Sequence, residues 1–154
     1  MTRTFSAILF SLVTAFTAQS AVDVTLDSGI PANRPSEGLY NNAKDAFAAI
    51  DGSTRATLRV HPGVYWLDDP DSPTTAMPKA GSSVPFAIEV ACDTLSIIGT
   101  DPDAEATVFA VNRGQTQGAI GNFTMLHFIG RQLKVENMTF GNYCNVDLEY
   151  PRRP

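Results

Sequence analysis

The sequence is poor in most of the residues that mark a reaction centre. It holds two cysteines, two histidines and one tryptophan in 154 residues. No cysteine or histidine stands at ligand spacing beside Cys92 or Cys144, which excludes the compact zinc motifs, and no cofactor or metal is implied. No G-x-S-x-G elbow is present to expose a nucleophilic serine. Basic residues are outnumbered, 11 against 16 acidic, for a formal net charge of −5. That balance argues against nucleic acid, whose phosphates need a basic face. It also provides no general attraction to an acidic polysaccharide, and only Arg152 and Arg153 stand together as a basic cluster.

What is present begins with an export signal. Residues 1–20 read MTRTFSAILFSLVTAFTAQS: one arginine near the start, an apolar stretch over 5–16, then small residues. Ala18 and Ser20 supply the small side chains a signal peptidase needs, placing cleavage before Ala21. The stretch is too short to span a bilayer, so no membrane association is expected after cleavage. Export would expose Cys92 and Cys144 to an oxidising compartment. The even count permits one disulfide, and a buried free thiol is the alternative.

Residues 21–154 read as one domain of β character. In residues 42–50 (NAKDAFAAI), Ala43, Ala46, Phe47 and Ile50 form a single apolar stripe at helical spacing. Asn41 or Asn42 can cap the start, and Gly52 follows the end. Beyond Gly52 the period changes to that of strands, with a Pro62-Gly63 turn. Strands are expected at 22–26, 56–67, 86–91, 94–98, 107–111, 123–129, 133–140 and 145–148, with glycines between them. LSIIGT (95–100), LHFIGR (126–131) and VENMTFGN (135–142) vary one theme, an apolar run closed by a tight turn. A helix followed only by such strands suits a β-solenoid, whose first coil needs a cap over its open end.

Candidate chemical groups are scattered. Asp68, Asp69 and Asp71 lie in a Pro-rich loop and read as solvated charges, with poor spacing for calcium. Glu136 and Asp147 are eleven positions apart, one possible pair on neighbouring coils, with outward-facing strand charges as the alternative. His61 precedes a turn proline and His127 sits in an apolar strand; both read as structural histidines. NRGQTQGAIGN (112–122) has the amides and flexible backbone to meet a sugar, or to form a structural turn. Asn122 and Asn137 fit the N-x-T acceptor pattern, which matters only in a eukaryotic secretory host.

Three segments carry a family resemblance. DAFAAIDGSTRATLRVHPGVYW (45–66), TLSIIGTD (94–101) and LKVENMTFGN (133–142) resemble, in order, the opening coils of the pectin esterases among the pectin-lyase-like β-helices. The resemblance implies an all-β, right-handed parallel β-helix with a short N-terminal capping helix. It also implies a partner, pectin or a related plant polysaccharide, and a substrate-contacting threonine at Thr116. Trp66 and Leu67 depart from the family, which usually has a glutamate soon after its G-x-Y turn, and CNVDLEY (144–150) has no counterpart.

The chemistry implied is hydrolysis of a methyl ester by two carboxylates, a glutamine steadying the oxyanion and an arginine holding the nucleophile ionised. The motifs for all of these come later in the family than anything matched here, so no catalytic residue is assigned. The chain is expected to be an inactive N-terminal scaffold, truncated so that the apolar edge of its last coil is exposed. A polysaccharide lyase, a glycoside hydrolase and a non-catalytic carbohydrate-binding β-helix are the other functions this architecture hosts. Export from a secretory host should give a mature N-terminus at Ala21, checked by intact mass; retention of residues 1–20 would refute the leader.

Overall fold

The computed structural model describes residues 21–70, 86–112 and 124–143. The strands are β1 (Val22–Leu26), β2 (Leu39–Tyr40), β3 (Ser53–Val60), β4 (Gly63–Trp66), β5 (Phe86–Gly99), β6 (Thr107–Val111), β7 (Thr124–Ile129), β8 (Gln132–Glu136) and β9 (Thr139–Asn142). One helix, α1 (Ala43–Ile50), precedes β3. Every ladder between these strands is parallel. One sheet runs β2-β1-β3-β5-β7 with β8 also on β5, and a second runs β4-β6-β9. Among the described residues the fold is therefore a mixed one, dominated by parallel sheet with one α-helix, and the strands follow the change of period after Gly52.

The register lines up side chains of the same kind. Val24 pairs with Leu58, Leu58 with Ile97, and Ile97 with Val135. Ala56, Leu95 and Leu133 form the neighbouring row. In the second sheet Tyr65, Phe109 and Phe140 are in register, their rings 6.3 and 5.6 Å apart in edge-on pairs. Aromatic pairs of this geometry add to the burial of their apolar area. Since alternate strand residues point the same way, each row follows from the apolar alternation in its strand.

The strands differ from the sequence expectation in several places: β2 is not among the expected strands, β3 starts earlier at Ser53, the span 56–67 is divided into β3 and β4, and two further differences lie at corners. The segments 86–91 and 94–98 are one strand, β5, whose buried alternation slips by one residue at Asp93-Thr94. That slip keeps Ile88, Val90 and Cys92 buried before the corner and Leu95 and Ile97 buried after it. Conversely, 133–140 breaks into β8 and β9 at Asn137, which adopts φ +53°. Asparagine tolerates this left-handed conformation better than most side-chain-bearing residues. The matching corner on the preceding strand is Gly99, where an added Cβ would collide with the Asn137 carbonyl. Gly130 is constrained in the same way by the Cys92 carbonyl.

Helix α1 stands where later passes of the chain place strands. It leads into β3 as residues 86–91 lead into the rest of β5, and as β7 leads into β8. Its start is capped as the sequence suggests, the Asn42 side chain accepting from the Asp45 N–H at 2.9 Å. The predicted stripe of Ala43, Ala46, Phe47 and Ile50 is buried, and the Phe47 ring reaches Phe109 at 5.7 Å. The helix exit also serves the bare edge of β5: the Gly52 N–H donates to the Ala91 carbonyl at 2.7 Å. The Ala91 N–H in turn donates to the Asp51 carboxylate at 2.8 Å.

At the opposite side the apolar rows are partly exposed. Among the described residues the exposed large hydrophobic side chains are Ile129 (47%), Leu133 (40%), Val135 (39%) and Phe140 (39%), all on β7, β8 and β9. Residues 1–20, 144–154 and Thr116, to which sequence analysis assigns the leader, a last strand and a ligand contact, lie outside the described residues. Replacing Phe109, at the meeting point of Phe47, Tyr65 and Phe140, with alanine should cost about 3–5 kcal/mol. The same change at half-exposed Phe140 should cost clearly less. Urea unfolding of both variants checks this, and equal losses would refute the central role of Phe109.

Candidate functional site

Parallel strands end on a common side, so the described residues that follow β4, β6 and β9 (67–70, 112 and 143) lie at one rim of the second sheet. Residues beyond the carboxyl ends of parallel strands are the usual place for ligand contacts, since the scaffold fixes their starting points. The rim is organised by backbone bonds from each exit to the neighbouring strand. The Leu67 N–H donates to the Ala110 carbonyl at 2.9 Å, and the Tyr143 N–H to the Val111 carbonyl at 2.8 Å. The Asn112 side chain donates to the Pro70 carbonyl at 2.7 Å.

An aromatic pair lies across this rim. Trp66, Ala110 and Gly141 share one row of the sheet. Tyr65 and Phe109, one position earlier on their strands, are buried in the core, so this row faces the other way. The small residues at 110 and 141 leave room above them. The Tyr143 ring lies over Gly141, where a Cβ would meet it at 2.8 Å, and reaches the indole of Trp66 at 5.9 Å between centroids.

Beside the indole a groove of about 460 Å³ is lined by Lys44, Trp66, Leu67, Asp68, Asp69, Pro70 and Ala87. It brings the first turn of α1, the exit of β4 and the start of β5 together. An aromatic face next to carboxylates and an ammonium group suits a ligand with apolar C–H faces and polar edges, because the ring covers the first and the charged groups hydrogen-bond the second. Among the described residues no group of three or more His, Cys, Asp or Glu side chains could hold a metal ion.

The sequence-selected residues do not gather at this groove. Asp68 and Asp69 line it, whereas Asp71, Asp147, Thr116 and Asn122 lie outside the described residues. Glu136 is 3.0 Å from Lys134 on an exposed strand, the arrangement of an outward surface pair. His61 approaches Asp27 at 3.5 Å and is largely solvated. His127 is different: its Nδ1 is 3.0 Å from a carboxylate oxygen of Glu89, on the neighbouring strand. Asn137 spends its amide on the Gly99 carbonyl at 3.4 Å. Cys92 is a buried free thiol whose Sγ accepts from Ser53 Oγ at 3.3 Å; Cys144 lies outside the described residues.

Sequence reasoning missed both the Trp66 groove and the Glu89–His127 contact. Trp66 was visible only as a departure from a family pattern. The Glu89–His127 contact had a signal, a separation of 38 residues that also joins Asp93 to Arg131 and Gly99 to Asn137. Asp93 accepts both guanidinium hydrogen bonds and raises the Arg131 pKa further above its ordinary value.

The single tryptophan makes the groove observable. Tyr143→Ala should uncover the indole and move its emission to the red without loss of β-structure by circular dichroism; an unchanged spectrum would refute the aromatic contact. No family model, curated protein or solved structure matches the chain.

Proposed function

We propose that the chain is a stretch of right-handed parallel β-helix, the N-terminal scaffold of a secreted carbohydrate-active protein resembling the pectin esterases, and that its groove at Trp66 receives polysaccharide. The observation that carries this reading is the stacking of like residues in parallel register over successive passes of the chain, at a separation of 38 residues between the last two along the first sheet. Such stacking is what a solenoid requires, because each coil covers only its neighbours. The order of the passes supports the resemblance. Helix, strand and G-x-Y turn come first, then the apolar strand closed by Gly99, then the LKVENMTFGN pass.

The groove supplies the chemistry of saccharide contact. A sugar ring offers an apolar face to the indole, and its hydroxyls meet Asp68, Asp69 and Lys44. Ester hydrolysis needs more: a nucleophile, a proton donor and donors for the oxyanion, set within hydrogen-bond reach of one another. The described residues do not gather two carboxylates, an amide and an arginine at one place. The scaffold reading therefore assigns the chain binding without turnover.

Titration of the purified chain with pectin-derived oligosaccharides, followed by Trp66 emission, tests the proposal. A saturable change, lost in Trp66→Phe when binding is followed by calorimetry, is expected, with no methanol released from pectin. Absence of any response to polysaccharide fragments would overturn the binding role. Methanol release by the 154-residue chain would overturn the scaffold reading.

A further inference from the structure

Strand β8 has β5 as its sole strand partner among the described residues. Its far edge therefore presents backbone N–H and C=O groups outside any ladder, a template for another strand. The core-facing side chains at this edge are only partly covered. Leu133 and Val135, in register with buried Leu95 and Ile97, are 40% and 39% exposed. Nothing in Gln132–Glu136 (QLKVE) blocks pairing as a proline would.

What such an edge accepts is decided by its charges. Lys134 and Glu136 alternate with the core-facing residues and point outward, 3.0 Å apart. Charges on an edge strand usually keep a second strand away. Here they are opposite in sign and two positions apart, so β8 is complementary to its own reversal. Antiparallel pairing with a second β8 must set inward residues opposite inward residues, or the apolar row would turn to solvent. Three registers oppose Leu133 and Val135 among themselves. With Leu133 opposite Leu133, Lys134 meets Gln132 and gains no ion pair. With Leu133 opposite Val135, Lys134 meets Lys134, and like charges directly opposite destabilise a sheet. With Val135 opposite Val135, each Lys134 meets Glu136 of the other copy, and the favourable pair occurs twice.

We propose that two copies of the chain associate through β8, paired antiparallel about a two-fold axis at Val135, so that their first sheets join into one. The axis is perpendicular to the sheet, which puts both cores on the same side and covers Leu133 and Val135 with the same residues of the other copy. A two-fold contact uses up both edges, so assembly stops at the dimer. Exposed ion pairs contribute little each. Apolar burial and the new ladder drive association, and the charges choose its register. The proposal is independent of the saccharide reading, since no residue of β8 lines the groove at Trp66.

Sedimentation equilibrium of the full chain should show a reversible monomer–dimer equilibrium. Lys134→Glu sets two acids opposite one another and Glu136→Lys two bases, and each should weaken the dimer about tenfold. An equimolar mixture of these two variants should form a heterodimer about as tightly as the unsubstituted chain pairs with itself. The chain carrying both Lys134→Glu and Glu136→Lys should recover self-association. Both side chains are exposed, so circular dichroism should stay unchanged in every variant. A monomer at all concentrations, open polymers in place of a dimer, or single variants that dimerise normally would each overturn the proposal. Failure of the mixture to associate would overturn it too, because the register would then be another. Slow amide exchange at Leu133 and Val135 in a monomeric chain would show the edge filled from within, residues 145–148 being the strand expected from the sequence.

Discussion

The structure depends on one constraint, that each strand must lie in parallel register on the strand one pass earlier. A parallel pair cannot be closed by a tight hairpin, so the chain must cross over before each strand pairs. What makes the journey favourable is the match of side chains on arrival. Leu58 finds Ile97, Ile97 finds Val135, and Phe109 lies between Tyr65 and Phe140. A slip of one residue would turn every such row outward. The corners enforce the same register by steric means, since Gly99 and Gly130 occupy points where no side chain fits.

Much of this was legible because local sequence and global fold agree. The helix could be read to its last residue: Asn42 is the cap, the four apolar positions are the buried ones, and Gly52 follows at φ +81°. The strands 22–26 and 107–111 were legible for the same reason, short apolar segments with turn residues beside them. The corners were not. Cys92-Asp93-Thr94 contains no glycine or proline, so nothing local marks the point where β5 changes pairing partners. Asn137 reads as an ordinary polar residue within an apolar run, and its role exists only because the Gly99 carbonyl is nearby.

The candidate site was less legible than the fold, for a physical reason. Core residues reveal themselves by periodicity, which is a property of neighbours in sequence. The groove joins Lys44, Trp66–Pro70 and Ala87, which belong to three different elements, and the contact between Glu89 and His127 joins residues separated by 38 positions. His127 shows the limit well. Within TMLHFI it looks like a misplaced polar residue in an apolar strand, and only its register with Glu89 explains its tolerance there.

Helix α1 gives the structure two unlike ends. On its side the helix covers the core and Asp51 satisfies the amide of Ala91; on the other, apolar side chains of β7, β8 and β9 are partly exposed. The helix thus takes, on one flank of β5, the place a further strand would occupy, and its exit gives Ala91 the backbone partners that a bare strand edge would lack.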